Sequence, residues 1–430
     1  MEDFIYFFSF RDPNIVMVVV GICLLSISAA MVGTFTFLDK KALVGDAISH
    51  AVLPGVCLAF MFAGNKNPYW IVLGAFTTGA ISTYCISWIS ASTKLKEDTV
   101  IAAVLSIFFG VGILLLTQLQ QTGNAALSGL DHFLFGNAIS IIREDLFVYG
   151  ALASLVIICL LLFYKEFKLI IFNPSFAQSV GLPIKRLKFI FNTLLVMAVV
   201  TGIQAIGVVL MAALLITPAA AARFWTNRLH VMLILAVVFA IISGISGAYI
   251  SYALPQMPTG PWVVMVISFL AFFSFFFAKK KGMVSRWISQ RSYQRKIHRD
   301  HILKTLFQQW EKKQTGMTYG ELINQFQGKA STTNHYINSL TKNSLLSQND
   351  NVINLTSEGF TEAKRIVRLH RLWELYLSQY LNLAPDHVHE MAEKMEHLIT
   401  PELEAQLDAS LDYPKADPHQ SIIPRDNDDL

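Results

Sequence analysis

The chain has 430 residues, of which 53% are hydrophobic and only 15% charged. That balance excludes an ordinary soluble protein and predicts a polytopic membrane protein. The net charge of +4 is small, but its uneven distribution along the chain carries the topology.

The opening segment, MEDFIYFFSFRDP, has no basic stretch before its apolar residues and no small-residue cleavage motif. It predicts no removable signal segment, so the first span itself would target the chain. Runs long enough to cross about 30 Å of hydrocarbon as helices lie at 15–37, 42–62, 69–89, 100–116, 146–163, 229–250 and 262–277. A longer apolar stretch between Lys188 and Arg223 is broken by TGIQAIG into two shorter halves. About eight or nine transmembrane helices are expected. With the loop Asp39–Lys41 inside, Lys40, Lys41, Lys94, Lys96, Lys165, Lys168, Lys185, Arg186, Lys188, Arg223, Arg228 and 279–281 all fall on the cytoplasmic side. Only Arg11, Lys66 and Arg143 remain outside, so the positive-inside rule predicts an outer N-terminus and a cytoplasmic C-terminal region.

Pro54, Pro218 and the MPTGPW segment (257–262) mark places where a helix either breaks beside a cavity or simply ends or kinks. The cysteines Cys23, Cys57, Cys85 and Cys159 lie in apolar runs at no metal-site or disulfide spacing, which predicts inert packing.

Within the second span, LVGDAISHAVLPG (43–55) places Asp46 and His50 four residues apart, on one face of a helix. An ionisable residue in a span is costly and marks a candidate functional site. Carboxylate oxygen with imidazole nitrogen suits a borderline divalent ion such as manganese, iron or zinc. The alternatives are a hydrogen-bonded pair that ties two helices together, or an interfacial pair beside Lys41.

Apolar character stops after Phe277. The expected organisation is a membrane domain over 1–280, a basic cytoplasmic linker over 281–297, a winged helix-turn-helix over 298–362, a helical domain over 363–424 and an acidic tail over 425–430. HRDHILKTLFQQWEKK is helix-patterned, TYGELINQF and STTNHYINSLTKNSLL follow as short helices, and SQNDNVINLTSEG alternates like a small β-wing. The candidate reading helix offers only Lys342 as a fixed positive charge, fewer than phosphate binding requires.

Further on, RLHRLWELYLSQYL puts His370 and Glu374 one turn apart, and DHVHEMAEKMEHLI puts His389, Glu393, Glu396 and His397 on one helical face. Such imidazole and carboxylate sets suit a transition metal, or else form a solvated polar face.

Two resemblances follow. LVGDAISHAVLPG, KLKEDT (94–99), FLFGNAIS (133–140), NPSFAQSVGLPIKRL (173–187), GVVLMAALLITPAAAARF (207–224) and PTGPWVVM (258–265) occur in the order found in permease subunits of metal-ion ABC importers, and residues 10–280 resemble that family. The resemblance implies a homodimeric or paired pore in the bacterial cytoplasmic membrane. An extracytoplasmic metal-binding protein would feed it, and a separate ABC ATPase docking near Asn173 to Pro183 would drive it. Positions matching Asp46 and His50 would coordinate the passing metal. No G-x-x-x-x-G-K-[ST] sequence occurs in the chain, so it is not expected to hydrolyse ATP.

Residues 298–424 are similar to the diphtheria-toxin-repressor family of iron- and manganese-dependent regulators, on RLHRLWELYL, VHEMAEKMEHLIT and DYPKADPHQSIIP. The resemblance implies one metal site at His370, Glu374 and His389, and a second at Glu393, Glu396 and His397 with His301 from the first helix. Glu at position 393 points to manganese, a carboxylate being harder than a thiolate. Two positions depart from the pattern: His301 stands where the family has Met or Asp, and Lys304 where the manganese type carries a further Glu. The combined expectation is a permease for divalent transition metals with a cytoplasmic metal-sensing domain. The alternative is a membrane-tethered or proteolytically released metal-dependent DNA-binding regulator.

Overall fold

A computed structural model describes residues 2–63, 68–121, 143–254, 257–279, 281–326, 330–349, 351–381 and 399–425. They divide into two units, Met1–Arg286 and Trp287–Leu430.

In the first unit a short helix, α1 (Glu2–Phe8), precedes the long α2 (Pro13–Leu38). Asp12 starts α2: its carboxylate accepts from the Asn14 amide at 2.8 Å, and Pro13 supplies a preset φ where no amide donor is needed. Then come α3 (Ala42–Ala51), α4 (Leu53–Ala63), α5 (Pro68–Ser92), α6 (Glu97–Gln121) and α7 (Arg143–Leu162). Two short helices, α8 (Tyr164–Phe172) and α9 (Pro174–Ser179), lead into α10 (Ile184–Ile206), α11 (Val208–Trp225), α12 (Leu229–Ala253) and α13 (Thr259–Phe277). Among the described residues eight segments are long and apolar enough to cross a bilayer, counting Ala42–Ala63 as one, and Met211–Trp225 is a shorter apolar helix.

The break expected in TGIQAIG falls at Gly207, whose φ of 90° lies where a side chain is rarely accommodated. A Cβ on Gly202 would come within 2.3 Å of Met211 Sδ. One straight helix would hold those residues roughly 13 Å apart, so α10 and α11 fold back on each other at Gly207. Of the prolines, Pro54 lies in the first turn of α4, Pro218 inside α11, and Pro258 caps α13.

Helix α2 is the hub, packed against α7, α10, α11 and α12. Lipid tails are as apolar as leucine, so close approach of small side chains replaces hydrophobic drive between spans. On α2 the buried set includes Ser26, Ser28, Ala29, Ala30, Gly33 and Thr34. Thr34 Oγ1 donates to Ala30 O at 2.6 Å and Thr36 Oγ1 to Val32 O at 3.0 Å, so these hydroxyls are satisfied within their own helix. Phe269, Phe272 and Phe273 of α13 face outward, as lipid contact allows.

The second unit opens on a helix, α14 (Met283–Lys313), that begins before the boundary and takes in the basic stretch expected as a linker. A three-stranded antiparallel sheet follows, β1 (Met317–Thr318), β2 (Leu346–Asn349) and β3 (Val352–Leu355), in the order β1-β3-β2. Between β1 and β2 lie α15 (Tyr319–Gln325) and α16 (Ala330–Lys342). A capping box of Thr318 and Glu321 starts α15, and Asn351, at φ 73°, turns the wing from β2 to β3. Ile302, Leu303, Leu306 and Phe307 pack with Leu322, Ile337, Leu340 and Ile353 into the core of this winged helix-turn-helix. Helices α17 (Ser357–Leu381) and α18 (Pro401–Ser410) complete the unit.

Candidate metal pathway and cytoplasmic metal-binding domain

Helix α3 lasts only ten residues before the chain turns at Val52, and it packs against α6 and α11. Asp46 and His50 stand one turn apart on it, with Asp46 Oδ1 3.5 Å from His50 Nε2. The Asp46 side chain is 40% exposed and that of His50 24%. The imidazole lies edge-on to Phe109 of α6, ring centroids 4.9 Å apart. His50 Nδ1 is buried without a hydrogen-bond partner among the described residues.

Because both residues belong to one helix, their pairing does not tie two helices together. Nor does Lys41 serve them, since its Nζ reaches Asp39 at 3.4 Å and Glu97 at 3.0 Å. Burial alone would lower the Lys41 ammonium's pKa, but Asp39 and Glu97 outweigh it and hold the group above the ordinary lysine value. The pair is therefore an open set of one nitrogen and one oxygen donor on a single turn. Among the described residues no three His, Cys, Asp or Glu side chains are gathered for a metal.

The motif NPSFAQSVGLPIKRL folds as the short helix α9. Asn173 caps it by accepting from the Phe176 amide at 3.1 Å, Pro174 stands at its first turn, and Gly181, at φ 83°, ends the turn after it. Phe176 and Val180 are more than half exposed. FLFGNAIS lies outside the described residues.

In the second unit His370 and Glu374 are buried on α17, with Nε2 and Oε1 3.1 Å apart. The other ring nitrogen, Nδ1, is met at 2.9 Å by Lys304 Nζ from α14. His301 is one turn before Lys304 on the same helix. The expected ligands His389, Glu393, Glu396 and His397 lie outside the described residues. Sequence spacing located His370 and Glu374, and the resemblance put Lys304 where the manganese type carries a further Glu; nothing local indicated that its amine would reach His370, 66 residues away.

A cluster of arginines holds this domain together. Arg371 grips Glu311 of α14 with bonds of 2.9 and 2.7 Å and donates to Ile422 O at 2.6 Å. Arg368 binds Asp408 at 2.6 Å, and Arg365 binds Glu404 at 3.0 Å, both across to α18. On α16 the exposed side chains include Asn334, His335, Asn338 and Lys342.

Residues 11–278 match the ABC 3 transport family, and residues 356–425 match the iron dependent repressor, metal binding and dimerisation domain. The chain is 37% identical over 375 residues to a manganese transport system membrane protein, MntC, of Bacillus subtilis, covering 87% of this chain and 86% of that one. It is 26% identical to a probable metal transport system membrane protein of Chlamydia trachomatis, with 97% of both chains covered, so that likeness runs through both units. A solved structure of PsaBC from Streptococcus pneumoniae in complex with Fab matches at 28% identity and a TM-score of 0.57, covering 65% of this chain and 96% of that chain. With open donor residues in a span, a capped exposed helix between spans and a winged helix later in the chain, the chain belongs to the ABC 3 transport family, as a permease subunit fused to a repressor-type metal-binding and dimerisation domain.

Proposed function

We propose that this chain forms half of a pore that imports a divalent transition-metal ion, manganese ahead of zinc or ferrous iron, with Asp46 and His50 as the ligands the ion meets. The observation that carries the reading is the open carboxylate and imidazole pair on one turn of α3. A second copy, or a paired permease, would bring two more donors, enough for a four-coordinate passage site. The manganese preference rests on the Bacillus subtilis relative, described as a manganese transport protein, while the Treponema pallidum relative, 40% identical over 235 residues, is described as a zinc one.

An extracytoplasmic metal-binding protein delivers the ion, and a separate ATPase docks on α9, whose exposed Phe176 and Val180 offer an apolar knob on a rigid capped turn. The cytoplasmic domain, with His301, His389, Glu393, Glu396 and His397 among its candidate ligands, senses imported metal and biases the permease toward a slower state. The test is accumulation of manganese, zinc and iron in cells that also express the ATPase and the binding protein, with Asp46→Ala and His50→Ala. Uptake of one metal lost in both variants, at unchanged protein level, supports the reading; unchanged uptake ends it.

The winged helix, whose reading helix α16 exposes Asn334, His335 and Asn338, favours a second reading as a membrane-held metal-dependent DNA-binding regulator. Salt-sensitive, sequence-specific DNA binding by the full chain in nanodiscs would establish it.

A further inference from the structure

The family of the C-terminal domain implies metal at His370 and Glu374, yet the chemistry around them does not fit one. His370 sits between two partners, Lys304 Nζ at 2.9 Å on Nδ1 and Glu374 Oε1 at 3.1 Å on Nε2. An ammonium has three donors and no lone pair, so Lys304 donates to Nδ1, and the proton of the neutral ring then lies on Nε2, facing the carboxylate. The one lone pair through which a neutral imidazole binds a metal is already engaged.

The geometry points to Lys304 as a built-in cation that closes the His370–Glu374 site to divalent metal. Lys304 is 6% exposed, and its neighbours on α14, Ile302, Leu303, Leu306 and Phe307, are fixed in the winged-helix core. The amine therefore starts from a buried position on a helix anchored in that core. A divalent cation placed among these groups would meet the ammonium at short range in a poorly solvated setting, where like charges repel strongly. The inference deepens the sensing role proposed above, but it stands on these three side chains whether or not the pore pair binds metal.

The test is a count of bound manganese and zinc per chain, by equilibrium dialysis and elemental analysis, on the full-length protein in nanodiscs. It uses an Asp46→Ala, His50→Ala background, so that pore metal does not enter the count and failure of the pore reading stays separate. Glu374→Gln, which keeps the shape of the side chain, is expected to leave the count unchanged. Lys304→Glu is expected to add one equivalent per chain, which adding His370→Gln removes. Loss of an equivalent in Glu374→Gln would overturn the inference, as would no gain in a folded Lys304→Glu protein. Should circular dichroism show that Lys304→Glu unfolds the domain, the Glu374→Gln count decides alone.

Discussion

Asp46 and His50 face each other across 3.5 Å on a single turn of α3, with Asp46 40% and His50 24% open at the side chain. A pair so placed is neither packed core nor a surface ion pair. If the two are ligands for a passing ion, the softness of the second donor sets which ion passes. A thiolate favours zinc over manganese more than imidazole does. His50→Cys is therefore expected to shift the ratio of zinc to manganese uptake upward, while Asp46→Asn lowers uptake of both by at least about tenfold. Competition between the two metals in whole-cell accumulation measures the ratio, and an unchanged ratio in His50→Cys would count against coordination by that side chain.

Behind this pair, α4 and α5 touch through backbone. A Cβ on Gly55 would lie 2.0 Å from Gly74 O, and one on Gly74 would lie 2.3 Å from Gly55 O. Gly55→Ala must then push the helices apart, with an expected loss of about 1–3 kcal/mol as for an overpacked core. A lower thermal midpoint of the detergent-solubilised chain, together with weaker uptake, is the expected result.

Much of this was legible beforehand because a bilayer demands long apolar runs, and the chain supplies them between basic loops. Asp46 and His50 could be picked out by spacing alone, and a break in the long apolar stretch by the small and polar residues of TGIQAIG, though not that the chain folds back there. The Phe109 ring against His50 could not be read, since it comes from another helix and no local pattern says which aromatic on α6 points there. The helical stretch 283–297 lacks apolar periodicity; its helix continues directly into the patterned residues 298–313. Lys304 shows the limit most clearly. Its position on the first helix was plain, but whether it left a gap or filled one depended on a meeting with α17 that only tertiary structure decides.

The same meeting of α14 with α17 is held by Arg371 and Glu311, whose two parallel bonds form a planar fork. Lysine cannot reproduce that geometry. Arg371→Lys is expected to destabilise the cytoplasmic unit by about 2–3 kcal/mol, the scale of hydrogen bonds to charged groups. A double-mutant cycle with Glu311→Gln, followed by denaturant unfolding, would show coupling between the two sites, whereas additive losses would mean that Arg371 acts chiefly through Ile422 O and Asp417.

Docking of the ATPase is expected to depend on α9. Phe176 is 52% exposed, so Phe176→Asp costs the permease less fold stability than a core substitution would while placing a charge at the proposed contact. Co-purification of the ATPase should fall sharply with permease yield unchanged. Full co-purification would move the docking surface elsewhere.

Lys41 gives a pH signature at the mouth of α3. Its folded pKa is raised by Asp39 and Glu97 against the opposing effect of burial. A cation with a raised pKa stabilises the fold fully below the unfolded value, about 10.4, and loses that contribution as pH climbs through the folded value. Glu97→Gln removes one of the two carboxylates, so the intact chain should exceed it in thermal midpoint at pH 8, by a contribution below about 1 kcal/mol for this partly exposed pair. The gap should close as the pH climbs through the raised folded value and the amine loses its proton in both proteins. A gap that stayed constant across that range would assign the effect of Glu97 to helix α6, where it is the first residue and favours the positive end of the helix dipole, rather than to Lys41.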